Sequence, residues 1–575
     1  MSPSTAHLLS TPDFRPLPDN ASLDEKIALS YRRARAIAKA YALTAEDVLY
    51  MSPRFWEFHT DNIHSLDAAA FTLLTIQYNL MGGTLAAFAE KRPELRPIMD
   101  KVLSFDVSAQ FLLTEVGHGL DAPRLETTAT LLPNGEFDFH TPNERARKHM
   151  PPTGPFGSLP RVAVVFARLV VQGEDRGVRP FLVALGDGNQ MCKGVTSRLI
   201  PQRGGIKPVD HAVTSFDHVR LPATALLGSL AKPADLRTNF ISSIWRVSVG
   251  SLALATTAIP LLSVNSYLVA RYSLRRFVTG SDGTSVPIMS FRTQHGPILH
   301  ALSQVAVMKA HAKAAIGFYT DTALNPRVRD GVAAAAKVAM THHAWSSLSN
   351  FTERVGAHGL FEHNNILQNE LMMRGVRIAE GDVLVLSIRL ANELLLGRYS
   401  MPAPKYPDCL LSRHEAGLLD ECREILKRAG GNHRHESVAR LMLPRCLPLV
   451  QAIGHRMAYE AALDAGVHRP LLDLYEAGVI LHDPSWYTEH AGVPRWAQFE
   501  KEDQAITAAL PHLEEYLAST GAESYAVSPI LTEESWENFI NDVPLYDGNA
   551  HYAVVPPIPR VSQPTTPQSQ IQAHL

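Results

Sequence analysis

Apolar residues recur along this chain with two periods, and the change from one to the other divides it. Ile27, Tyr31, Ala34 and Ile37 step by 4, 3 and 3 residues, the spacing that lines one face of an α-helix. Helical patterning continues from Phe71 to Phe88, with Gly82-Gly83 expected to break it. The period then falls to two. Leu125, Thr127, Ala129 and Leu131 alternate, Pro133-Asn134-Gly135 intervenes, and Phe137 and Phe139 resume the alternation. Asn-Gly between two alternating runs predicts a hairpin whose two turn residues take positive φ. Further strand-like runs lie at 162–171, 180–185 and 211–221.

After Leu230 the helical period returns. Ile298, Leu302, Val305, Met308 and Ala312 step by 4, 3, 3 and 4, and Val332–Met340 is alanine-rich, which suits close helix packing. Pro402, Pro404 and Pro407 mark a linker, and a second helical block runs from about Leu411 to Ile540. The predicted class is α+β, mostly α. Its parts are an N-terminal helical domain at 1–105, a middle β domain at 106–230, a helical bundle at 231–400 and a C-terminal helical domain at 410–545. Residues 546–575, rich in Pro, Ser, Thr and Gln, are expected to be disordered.

Composition narrows the function classes. The 575 residues, 46% hydrophobic and 19% charged, are enough for several packed cores. A net charge of −3 gives no field to hold a nucleic acid. Cys192, Cys409, Cys422 and Cys446 form no Cys-x-x-Cys pair, so neither a zinc site nor a disulfide framework is expected, and a reducing compartment fits. Met1–Asp19 lacks the apolar core of a signal peptide. Val247–Ala270 carries no charge and is long enough to span a bilayer. Its many polar residues, Ser248, Ser251, Thr256, Thr257 and Asn265 among them, favour a bundle helix buried on all sides instead.

Familiar phosphate, zinc-protease and nucleophile-elbow motifs are absent. His342-His343 and His433-Arg434-His435 lack metal-ligand spacing and read as surface or helix-cap histidines. Two segments carry candidate chemistry. In Leu113-Thr114-Glu115-Val116-Gly117-His118-Gly119-Leu120, glycines flank a histidine just before strands. That is either backbone that comes close to a ligand or an ordinary tight loop, and composition alone favours the loop. In Ile378-Ala379-Glu380-Gly381-Asp382, a carboxylate sits among apolar residues. It is either a general base with its pKa raised by desolvation or part of an acidic pair at a helix N-terminus, and composition alone favours the pair.

Together with three other segments, these resemble the peroxisomal acyl-CoA oxidases, a branch of the acyl-CoA dehydrogenase superfamily. Thr114-Glu115-Val116-Gly117-His118-Gly119, followed by Leu125-Glu126-Thr127-Thr128-Ala129-Thr130, is the most specific match. Asp217-His218-Val219-Arg220-Leu221-Pro222, Arg275-Arg276-Phe277 with Phe291-Arg292-Thr293-Gln294, Val355-Gly356-Ala357-His358-Gly359 and Ala379-Glu380-Gly381-Asp382 follow in the family's order. The resemblance covers about 65–395 and, more loosely, 410–545. Where these oxidases carry Lys-Trp-Trp-Pro-Gly-Gly, this chain reads Lys148-His149-Met150-Pro151-Pro152-Thr153-Gly154.

The resemblance implies an acyl-CoA dehydrogenase-like fold with a β-barrel-like middle domain, a four-helix bundle and an extra helical domain. It implies FAD as cofactor and oxidation of an acyl-CoA to the trans-2-enoyl-CoA, with dioxygen reduced to hydrogen peroxide. The alternatives are a dehydrogenase or desaturase with another electron acceptor, and a non-catalytic FAD-binding or scaffold relative. Glu380 would be the catalytic base. Thr114, Gly119, Gly154, Arg276, Gln294, Gly356, Gly359 and Asp382 would bind the cofactor. No metal, nucleic acid or membrane span is implied. FAD shared across subunits implies a homodimer. Ala573-His574-Leu575 resembles a peroxisomal address, with the cytoplasm as the alternative location.

Overall fold

In the computed structural model, which describes residues 5–18, 20–552 and 554, the N-terminal layer opens with a capping box. The Ser22 hydroxyl accepts the Glu25 N–H, and the Glu25 carboxylate accepts the Ser22 N–H. Helix α1 (Leu23–Tyr41) buries Ile27, Tyr31, Ala34 and Ile37, the face its spacing predicted. Gly82-Gly83 does not break the next helix. Helix α2 (Ala68–Thr75) runs through a π-helical turn (Ile76–Gly82) directly into α3 (Gly83–Ala89). The glycines answer packing instead. A Cβ at Gly82 would lie 2.7 Å from the Gln77 carbonyl oxygen, and one at Gly83 would lie 2.1 Å from the Arg246 Nε. The Gln77 amide donates to Val102 O and Val107 O and accepts the Ala109 N–H, fastening this turn to the first strand.

The β region comprises β1 (Ser108–Leu112), β2 (Thr128–Leu131), β3 (Phe137–His140), β4 (Lys148–His149), β5 (Arg161–Val171), β6 (Glu174–Gly186), β7 (Val195–Leu199), β8 (Ala212–Phe216) and β9 (Val219–Leu221). Six strands form one sheet in the order β1-β5-β2-β3-β9, with β6 also on β5; β4-β8-β7 form a second. Phe139 joins the two sheets through edge-on contacts with Phe181 at 5.6 Å and Phe216 at 5.0 Å. The predicted hairpin joins β2 and β3. Of its turn residues only Gly135 has positive φ, at 85°. Asn134 instead uses its side chain, accepting the Glu136 N–H at 3.1 Å.

The apolar stretch falls on α4 (Trp245–Thr256) and α5 (Ala258–Arg275). By length and composition it is apolar enough to cross a membrane, yet 89% of its most apolar window is buried inside the protein. Its charge-free surface is helix-bundle core. Helices α6 (Arg292–Thr320), α7 (Pro326–Arg354), α8 (Ile366–Ile378) and α9 (Val383–Leu395) complete this region. Alanine-rich α7 packs against α4, α5, α6, α8 and α9.

The C-terminal block includes α10 (Leu410–Arg428), α11 (Cys446–Asp464) and α12 (Arg469–Ile480). Helix α11 packs on α6, α7 and α9, so the proline linker separates two stretches of sequence that share one hydrophobic core. His342-His343 lies at this junction and is not a surface pair. His343 is buried, pairs with the Tyr475 hydroxyl at 3.1 Å and lies 4.8 Å from the His455 ring. Burial holds both His343 and His455 well below the ordinary histidine range. His435 does cap a helix, accepting the Ser437 N–H. Residues 546–552 are exposed and carry no helix or strand. Most of the tail expected to be disordered, including Ala573-His574-Leu575, lies outside the described residues.

Candidate active site

Helix α8 ends at Ile378, and the Asp382 carboxylate starts α9 by accepting the Leu384 and Val385 N–H groups at 2.9 and 3.1 Å. Two residues with positive φ make the turn between them: Glu380 at 51° and Gly381 at 102°. Glycine takes this region freely, whereas a residue with a Cβ is held there at a cost of about 1–2 kcal/mol. The surroundings hold Glu380 in place. The Ser251 hydroxyl of α4 donates to the Glu380 carbonyl at 2.5 Å. The Lys337 ammonium of α7 donates to Ala379 O, to Gly381 O at 2.7 Å and to Glu380 O at 3.4 Å. The Glu380 N–H has no hydrogen-bond partner among the described residues.

The Glu380 side chain turns inward from a backbone that is partly exposed. Its Oε2 accepts from Asn79 Nδ2 of the π-helical turn at 3.0 Å. It lies so close to Gly250 of α4 that a Cβ there would come within 1.2 Å of it. Burial pushes this carboxyl up from 4.5 to about 8, against the opposing pull of Lys337, Arg246 and the Asn79 amide. Burial likewise pushes Lys337 down from 10.5 to about 8. Arg246 closes the far side. It donates to Asn79 O at 2.8 Å and to Val48 O at 3.0 Å, and its guanidinium lies over the Trp245 and Phe55 rings. A carboxylic acid pushed up toward neutrality by burial, with the Lys337 and Arg246 cations acting on it, is suited to proton abstraction.

The Thr114–Gly119 loop is organised around Glu115. Its carboxylate is fully buried, pairs with Lys148 at 2.9 Å and accepts the N–H groups of Glu126 and Thr127. One side chain thereby ties together β4 and the two halves of the Thr-Glu-x-Gly-His-Gly and Leu-Glu-Thr-Thr-Ala-Thr pattern. His118 adds a contact to Glu126 at 2.8 Å. Thr114 O accepts the His149 N–H at 3.0 Å, so the Lys148–Gly154 stretch begins beside Thr114. The Thr114 hydroxyl has no partner among the described residues. Gly119 is exposed with open space where a Cβ would stand. Gly154 is explained by the protein itself, because its Cβ would meet the Phe156 ring at 2.7 Å.

The remaining candidates gather at the ends of α5, α6 and α7. Arg276 is exposed, and among the described residues its guanidinium donates only to Phe277 O. Gln294 donates to Arg354 O at 3.2 Å, while its buried Oε1 has no partner among the described residues. Gly356, with φ of 62°, has open space at its Cβ position, whereas a Cβ at Gly359 would lie 2.0 Å from Thr352 O. Among the described residues no hydrogen bond links this group to the Thr114 loop.

This architecture recurs among solved structures. Acyl-CoA oxidase 1 of Yarrowia lipolytica superposes with a TM-score of 0.78 at 17% identity, over 93% of this chain and 89% of that one. The chain has the acyl-CoA oxidase fold. Another acyl-CoA oxidase fold, oxidase-2 of Caenorhabditis elegans solved with FAD, ascaroside-CoA and ATP, superposes with a TM-score of 0.71 at 18% identity, over 90% of this chain and 92% of that one. In sequence, peroxisomal acyl-coenzyme A oxidase 1 of Arabidopsis thaliana is 26% identical over 398 residues, 64% of this chain and 58% of that protein. The chain spans about half the length of the curated relatives it matches. No protein-family profile matches it.

Within that fold, sequence reasoning missed every side chain that surrounds Glu380. Asn79, Gly250, Ser251 and Arg246 are separated from it by more than a hundred positions. One signal was available: Lys337 interrupts the alanine-rich run 333–336 and 339, where a buried helix should carry no charge.

Proposed function

We propose that this chain oxidises an acyl-CoA thioester between its α and β carbons, with FAD as cofactor and dioxygen as final electron acceptor. The observation that carries the reading is the Glu380 carboxyl: inward-turned, bonded by Asn79 and balanced near neutral pH. Its ionised form takes the α proton of the thioester. The partnerless Glu380 N–H is free to donate to the thioester carbonyl oxygen, stabilising the negative charge that develops there. Base and oxyanion donor then belong to one residue, and the clamped turn fixes their relative position.

The residues present fit a flavin dinucleotide. Among the described residues, Thr114 offers a partnerless hydroxyl, Gln294 a buried partnerless oxygen, Arg276 an exposed guanidinium with a single bond, to Phe277 O, and Gly119 and Gly356 open backbone. Gly154, Gly359 and Asp382 would contribute through packing and helix capping, each at its own turn. Bound FAD supplies the acceptor for the β hydride and the route for two electrons to dioxygen, giving hydrogen peroxide.

We further propose a homodimer, in which the exposed Arg276, Phe277, Phe291 and Phe361 meet the Thr114 loop of a second copy. Location in the peroxisome is supported by the Arabidopsis thaliana relatives, which are named as peroxisomal oxidases. The test supplies butanoyl-CoA, decanoyl-CoA and palmitoyl-CoA to the FAD-loaded protein under air, following flavin absorbance and peroxide together. Bleaching with stoichiometric peroxide is expected. Bleaching without peroxide would assign another acceptor, and no bleaching with any of the three would remove the reading.

A further inference from the structure

Lys337 has features the proposed reaction leaves unexplained. It is fully buried in the middle of α7, surrounded along its own helix by Ala333, Ala334, Ala336 and Val338. No carboxylate oxygen is within ion-pair distance of its Nζ among the described residues. Its hydrogen-bond acceptors are the consecutive carbonyls of Ala379, Glu380 and Gly381. Three acceptors match the three donors of an ammonium group, one more than a neutral amine offers.

Burying an ammonium group is costly, and the carbonyl oxygens at a helix end are ordinarily satisfied by water, backbone or a neutral side chain. A charge is therefore kept here for something a hydroxyl or amide does not supply. The groups facing Lys337 are Glu380 and Asp382, which attract it, and Arg377, which repels it. Glu380 faces Lys337, Arg246 and the Asn79 amide. The Arg246 Nε and Nη1 are committed to backbone carbonyls, whereas Lys337 is bonded to the turn that carries Glu380.

We propose that Lys337 is the positioning residue of the catalytic base: its ammonium group clamps the Ala379–Gly381 turn in its left-handed shape and holds a positive charge beneath Glu380, so that the carboxylate ionises inside an apolar site. This inference rests on the role proposed above for Glu380. The clamp and the charge are separable. Ser251 donates to the same Glu380 carbonyl without any charge, so it shares the first task and not the second.

The test is the pH profile of flavin reduction by whichever of the three acyl-CoAs bleaches the wild-type protein fastest. FAD content and circular dichroism serve as controls for folding. Lys337→Met and Lys337→Gln are expected to move the midpoint upward by about one pH unit or more, a loss of roughly ten-fold near pH 7 that recovers toward alkaline pH. The amide of Lys337→Gln retains donors for the turn, so this variant carries the test if Lys337→Met fails to fold. Ser251→Ala is expected to lower the rate at all pH values with the midpoint in place. Folded, FAD-loaded lysine variants with the wild-type midpoint would overturn the role of Lys337. If Glu380→Gln still bleaches with the same substrate, the reaction assigned to Glu380 falls as well, and the two failures are told apart by that variant.

Discussion

Asn79 and Glu380 are 301 positions apart in sequence, yet the Asn79 amide donates to the Glu380 carboxylate at 3.0 Å. The contact exists because a π-helical turn at Ile76–Gly82 rotates Asn79 out of the α-helical register, toward α4 and the α8–α9 turn. Such turns widen a helix locally and recur at functional sites. Asn79→Ala removes a hydrogen bond that favours the ionised carboxylate. We expect kcat/KM at pH 7 to fall roughly ten-fold, with the pH midpoint moved upward. An unchanged profile would show that this bond does not tune the base.

Glu380→Gln keeps the shape of the side chain and removes its basicity. The protein should remain yellow and still bind acyl-CoA, while flavin reduction falls by roughly 10²–10⁴-fold. Single-turnover absorbance measurements decide it, and retention of the wild-type rate would assign the proton to another group.

Gly250→Ala places a methyl group where Glu380 Oε2 now lies. The carboxylate must move, and overpacking of this kind costs about 1–3 kcal/mol. The expected result is a large loss of flavin reduction with FAD retained. Full activity in the alanine variant would mean that the catalytic carboxylate does not occupy this position during turnover.

The site also makes stability depend on pH. Glu380 is raised from 4.5 to about 8 on folding, so the folded protein holds more protons than the unfolded chain between these values. Its contribution to stability therefore falls as pH rises through that window. Lys337 is depressed from 10.5 to about 8, so its contribution is least at low pH and rises as pH climbs through that range. Glu380→Gln removes the first effect. The variant should melt higher than the wild type at pH 8 and show less difference at pH 5, as measured by thermal denaturation of the FAD-loaded proteins.

The buried Glu115–Lys148 pair predicts a different outcome. Glu115→Gln leaves the Lys148 ammonium buried without its counter-charge, at an expected cost of about 3–5 kcal/mol. The double variant Glu115→Gln/Lys148→Met should recover much of that loss. Chemical denaturation of the two variants checks it, and equal stabilities would show that the pair is not coupled.

Much of the architecture was legible in the residue pattern. The buried face of α1, the β2–β3 hairpin, the long apolar helices and the two helical blocks depend on periodicity and turn chemistry, which act over a few residues. Where local reasoning failed, a packing or hydrogen-bond partner had intervened, distant in sequence for Gly83 and His343 and local for Gly82 and Asn134. Gly82-Gly83 looked like a break until Arg246 and Gln77 were seen to need the space. His342-His343 looked like a surface pair until α11 and α12 covered it. Asn134 looked like a positive-φ residue, and its side-chain bond to the Glu136 N–H supports the turn without it.

The sequence by itself determined the order of helical and β segments, the Thr114–Thr130 pattern and the candidacy of Glu380. Only the tertiary structure decided what Glu380 is chemically. An isolated glutamate in water is an ordinary acid. Burial against Gly250 and its neighbours raises the pKa of this one, while the Asn79 hydrogen bond and the Lys337 and Arg246 charges oppose that rise. Desolvation and Coulomb interaction depend on distance in space, and no spacing along the chain reports that distance.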